Sequence, residues 1–109
     1  MTVVGFLSVA PVIEGSMSEQ VARAVAALDD FDVAYETTPM GTIVETDDSA
    51  ELFAAAAAAH EAVDADRVST FLKVDDKRTV DQPASEKVAA VEDHLGRPAR
   101  SDRESDFET

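Results

Sequence analysis

The chain has 109 residues, 23 acidic against 9 basic side chains and a formal net charge of -14. That length holds one domain with a single modest core. The charge disfavours nucleic acid and anionic membranes, which are bound through Lys and Arg. The chain has no cysteine, so disulfides, thiolate chemistry and Cys-based zinc sites are excluded.

Acidic residues occur all along the chain, and the only lysines are Lys73, Lys77 and Lys87. This pattern suggests adaptation to high salt, where self-repulsion is screened within a few Å. The apolar start, residues 2–12, lacks a basic leader and is too short to span a bilayer. A cytoplasmic location is expected.

In chain order, residues 3–10 read as a strand with two apolar faces, as in a central strand covered on both sides. A loop to Gly15 follows. Ser16 and Glu19 have capping-box spacing, with Ser18 as a competing cap. Val21, Ala24, Val25 and Leu28 then form a helical stripe that ends at Asp29-Asp30. Residues 33–38 are a second strand stopped by Pro39, and residues 41–46 a third. Asp47, Asp48 and Ser49 offer caps for a second helix carrying Leu52, Phe53, Ala56, Ala59, His60 and Val63. Its alanine run is a strong helix former that packs closely.

Residues 67–75 form a fourth strand. Val68, Thr70, Leu72 and Val74 lie on one face; Ser69, Phe71, Lys73 and Asp75 lie on the other. A third helix starts near Pro83 or Ser85, carries Val88, Val91 and Leu95, and ends at Gly96 before Pro98. Residues 97–109 are polar and are expected to be a disordered charged tail. The order βαββαβ plus a helix predicts an α+β, ferredoxin-like sandwich over residues 1–96. Its helices cover one sheet face. The other would leave Val4, Phe6, Ile43 and Phe71 exposed unless a subunit or ligand covers them.

The sequence Pro39-Met40-Gly41-Thr42-Ile43-Val44-Glu45 stands out. A carboxylate in an apolar strand needs a partner. For Glu45 that partner is a ligand, or else Lys73 or Arg78. On the ligand reading Glu45 shares a face with Phe6, Ser8, Phe71 and Lys73, a mixed surface of the kind small-molecule sites use. Thr42 joins only through a twist or bulge, because alternation puts it on the opposite face. Asp75, Asp76 and Arg78 either grip a charged group or close an oligomer salt bridge. His60 and His94 lack metal-ligand spacing, Asp47-Asp48 lacks a calcium-loop pattern, and the glycines form no phosphate cradle. No cofactor or metal is expected.

Three blocks carry a family resemblance over residues 3–95. They are Ser8-Val9-Ala10-Pro11 with Gly15; Tyr35 with Pro39-Met40-Gly41-Thr42 and Glu45; and Arg67-Val68 with Lys73-Val74-Asp75-Asp76-Lys77-Arg78. On these the chain resembles the YkoF-like thiamine-binding family of small ferredoxin-like proteins. The resemblance implies non-catalytic binding of thiamine or a pyrimidine precursor, and a homo-oligomer (dimer or tetramer) built by sheet-to-sheet packing. Two positions depart from the family pattern: Pro11-Val12-Ile13, where a Gly often follows the Pro, and Thr46, where a Gly is common. On the thiamine reading, Glu45 bonds the aminopyrimidine, Thr42 or Ser8 adds a hydroxyl, and Phe6 or Phe71 stacks on the ring. The alternative is an oligomeric regulatory or scaffolding module whose second sheet face is all interface.

Overall fold

The structure is a computed structural model that describes residues 1–102. The elements are β1 (Thr2–Pro11), α1 (Ser18–Ala27), a 3-10 turn (Leu28–Asp30), β2 (Ala34–Thr38), β3 (Gly41–Thr46), α2 (Ser49–Ala62), β4 (Val68–Lys77) and α3 (Ala84–Leu95). The sheet order is β2-β3-β1-β4 and every pair is antiparallel. This is the expected ferredoxin-like arrangement, with β1 and β3 central. Residues 97–102 form no helix or strand; the rest of the expected tail, 103–109, lies outside the described residues.

Strand alternation decides which side chains enter the core. Val3, Leu7 and Val9 of β1 and Val44 of β3 point to the helix side and are buried. There they meet Ala24 of α1, Leu28, and Leu52, Ala55, Ala56 and Ala59 of α2. Small residues let α2 come close to the sheet. A Cβ on Gly5 would sit 2.9 and 3.2 Å from the two methyls of Leu52, so glycine makes the room that Leu52 fills. Leu52 is only 1% exposed. Leu52→Ala is expected to cost about 3 kcal/mol through lost burial and a residual cavity. Chemical denaturation in molar salt reads this as a lower midpoint with unchanged slope; a loss under about 1 kcal/mol would mean the site collapses freely.

Two local expectations are corrected and a third is narrowed. First, neither Ser16 nor Ser18 caps α1, whose N-cap is Met17 with no side-chain bond. Ser16 Oγ instead accepts from the Ser18 amide at 3.3 Å, a local turn that competes with capping. Second, Phe53 lies on the outer side of α2 and is 54% exposed, while His60, exposed as expected, reaches Thr70 Oγ1 of β4 through its Nδ1 at 2.5 Å. The inward positions go to Leu52, Ala55, Ala56 and Ala59. Third, of the two starts offered for α3 the structure keeps Pro83, as the N-cap just before the first turn and without a side-chain bond. Asp48 does cap α2, accepting from the Ala50 amide at 3.0 Å, and Gly96 ends α3 in the left-handed region at φ +71°.

The molecule measures 47 × 45 × 18 Å. The third dimension is one sheet plus one helix layer, because α1 and α2 both cover the same sheet face. No residue of α3 is buried. Among the described residues, no helix is long and apolar enough to cross a membrane.

Candidate functional site

The structure divides the residues singled out from sequence between two surfaces. On the open sheet face, register sets side chains in rows. One row is Ala34, Glu45, Val4, Asp75; the next is Glu36, Ile43, Phe6, Lys73. Phe71 lies beside Phe6 with ring centroids 6.3 Å apart and planes at 67°, an edge-to-face pair. Phe71 is 59% exposed. Phe6 also lies against Gly41, where a Cβ would come 2.7 Å from its ring. Glu45, Phe6, Phe71 and Lys73 therefore share this face, as alternation requires.

Glu45 has a partner there that sequence did not suggest. Its Oε1 accepts from the Ala84 amide at the first turn of α3. Lys87, one turn on, pairs with Asp75 across the same row. These contacts latch α3 to the open face by its first turn. Its apolar residues Val88, Val91 and Leu95 remain about half exposed. Asp76 bonds Arg78 at 3.2 Å, so Lys73 and Arg78 leave Glu45 to the helix.

The Asp75 carboxyl is held below the usual carboxylate range, first by its hydrogen bond from Lys87 and then by the charge of Lys87, with smaller help from Lys77 and Lys73. A lowered pKa means that this contact stabilises the fold fully above the ordinary carboxylate value. The contribution is lost as pH falls through the lowered one. Acidification is therefore expected to speed amide exchange in the first turn of α3, and Asp75→Asn to remove that acid response. An unchanged response in the variant would refute the role of the pair.

Ser8, opposite Phe71, shares the open face too; Thr42 belongs elsewhere. Thr42 sits three residues from Glu45, about 10 Å along the strand, with its side chain on the helix side. It is 5% exposed, and no bulge turns it over. It lines a cavity of about 310 Å³ between α1 and the end of the sheet. Leu7 and Val9 form the sheet wall, Met17, Val21, Ala24, Val25 and Leu28 the helix wall, and the turn from Thr37 to Thr42 the lip; Ser8 and Ala10 also border the space.

No charged side chain lines this cavity. The hydroxyls that border it are those of Thr37, Thr38 and Thr42; Ser8 borders it from the strand, with its side chain alternating to the open face beside Phe71. Thr37 and Thr42 bond each other at 3.1 Å. Thr38 donates to the Gly41 carbonyl at 2.7 Å and accepts from the Met40 amide at 3.3 Å, which fixes the turn. Tyr35, on the same side of β2, donates to Asp29 at 2.7 Å. That bond holds the hairpin against the end of α1, and it pushes the Tyr35 phenol up.

A second hollow lies at the other end of the sheet, bordered by Asp32, Glu45, Asp47 and Asp81. Among the described residues no group of three or more His, Asp or Glu is placed to hold a metal ion. Sequence reasoning singled out the block that holds Met40 but named none of Thr37, Thr38, Met17 and Met40 as a contact; all four border the cavity. Their signal was the hydroxyl-rich hairpin next to the quoted Pro39-Met40-Gly41-Thr42 block.

Residues 6–92 match the model of a family described as thiamine-binding protein. A UPF0045 protein of Methanothermobacter thermautotrophicus is 46% identical over 83 residues, covering 73% of this chain and 84% of that protein. One from Mycobacterium tuberculosis is 38% identical over 101 residues, covering 90% of this chain and 99% of that protein. The crystal structure of a hypothetical protein of Methanocaldococcus jannaschii superposes with a TM-score of 0.76 at 33% identity, covering 83% of this chain and 95% of that one. A Thermotoga maritima protein put forward for thiamine biosynthesis or salvage has the same fold. Its TM-score is 0.72 at 24% identity, with 84% of this chain and 99% of that one covered.

Proposed function

The chain belongs to the thiamine-binding protein family, and we propose that it binds thiamine or a related pyrimidine without transforming it, as a homo-oligomer. The observation that carries this reading is the cavity between α1 and the β2–β3 hairpin. At about 310 Å³ it falls at the small end of the range of ligand sites, roughly 300–1,000 Å³. Its walls are apolar with a few hydroxyls, which suits a flat heterocycle. They hold no carboxylate, imidazole or amine to move a proton, which favours a carrier or sensor over an enzyme.

In this proposal Thr42 contacts the ligand from the sheet wall, while Ser8 turns its side chain to the open face. Glu45 holds α3, and Phe6 and Phe71, with Lys73 beside them, form the subunit interface. The second copy is the occupant of choice for the open face because the same chain leaves two apolar surfaces uncovered side by side: the Phe6–Phe71 platform and the stripe of α3.

Calorimetric titration of thiamine in molar salt tests the reading. Binding at micromolar concentration or tighter, about -8 kcal/mol, is expected. No heat from an intact oligomer would favour the scaffolding module, in which the open face is the whole function. Thiamine is also expected to bind more tightly than its pyrophosphate, because the chain carries a net charge of -14 and the cavity has no cation to meet a phosphate. Equal or tighter binding of the pyrophosphate would refute that order.

A further inference from the structure

β1 pairs with β4 along its full length, from Thr2↔Lys77 to Pro11↔Val68. It pairs with β3 only as far as Leu7↔Thr42. Beyond Leu7 the β3 side of β1 therefore has no neighbouring strand, and this is where the cavity opens. Backbone groups alternate sides along a strand. The Val12 amide donates to the Arg67 carbonyl at 2.8 Å, toward β4. Alternation then turns the N–H and C=O of Val9, and the C=O of Pro11, toward the missing β3 position. Among the described residues they have no hydrogen-bond partner outside the strand ladders, and Val9 lines the cavity.

We propose that the free backbone edge of Val9 reads the ligand, pairing with an aminopyrimidine as it would with a further residue of β3. This deepens the thiamine reading and rests on it. A strand residue presents a donor and an acceptor side by side on one edge. A 4-aminopyrimidine presents a ring nitrogen that accepts beside an amino group that donates, the matching pair. No charged side chain lines the cavity to compete, so these neutral hydrogen bonds form where they count most and are costly to leave unmade. The specificity is then for heterocycles with an amidine-like edge, and it does not depend on any one side chain.

The test is amide-resolved NMR on the full chain in molar salt, titrated separately with thiamine, its 4-oxo analogue and 4-aminopyrimidine alone. The 4-oxo analogue reverses both partners, because its ring nitrogen carries the proton and its exocyclic oxygen accepts. Thiamine and 4-aminopyrimidine are expected to move the Val9 amide downfield and slow its exchange. The 4-oxo analogue is expected to bind at least tenfold more weakly. Equal affinity for the 4-oxo analogue overturns the proposal, as does thiamine binding that shifts Val21 and Met40 but leaves the Val9 amide unmoved. If 4-aminopyrimidine moves Val9 and thiamine binds nowhere, the edge reading stands and the thiamine reading falls. If neither compound moves any amide, both fall.

Discussion

Val21→Trp is expected to abolish thiamine binding, weakening it at least a hundredfold, while leaving the fold intact. Val21 lies on the helix wall of the cavity and is half-buried, so a larger side chain there enters empty space. In a packed core the same enlargement would cost about 1–3 kcal/mol; here it fills a void, and the thermal midpoint should hold or rise. Glu45→Ala is the paired control. It removes the acceptor of the Ala84 amide and should loosen α3, but it leaves the cavity untouched, so thiamine affinity should change less than threefold. The opposite pattern, with binding kept in Val21→Trp and lost in Glu45→Ala, would move the site to the open face and overturn the placement argued above.

Alternation encodes which residues share a face of a strand, not which face takes a ligand. Period-two patterning sorted Thr42 and Val44 from Ile43 and Glu45, and the structure keeps that division. The requirement that a half-buried carboxylate have a partner was also met for Glu45. The partner is a backbone amide from α3, nearly forty residues on, and no pattern in the sequence marks such a contact. Capping failed for a similar reason. Ser16 and Ser18 have the residue types of a cap, but the loop gives them each other first.

The cavity was illegible because it is a difference between lengths. β1 has ten residues and β3 six; only the pairing register reveals which end of β1 is left without a neighbour. The residues that line the space, such as Val21, Ala24 and Leu28, read from sequence as ordinary core. Three of that stripe, Val21, Ala24 and Val25, do face the sheet, but at its frayed end, where there is too little β3 to fill the gap.

The second large effect concerns the open face. Phe71→Asp is expected to convert the oligomer to smaller species in sedimentation measurements, weakening association at least thirtyfold, the scale of a central aromatic at an interface. Because Phe71 is 59% exposed in the single chain, monomer stability should barely change. Val91→Glu on the exposed stripe of α3 should act in the same direction. Salt supplies the sign that separates this interface from a generic charged contact. Two copies at -14 each repel, and at about 0.1 M salt that repulsion reaches roughly 10 Å; near 1 M it is confined to about 3 Å. An apolar seam should therefore tighten as salt is raised, whereas one held by ion pairs such as Lys87–Asp75 should weaken. Wild-type protein that stays monomeric at every salt concentration, with Phe71→Asp indistinguishable from it, would leave the open face without a second copy and remove the oligomer from the proposed function.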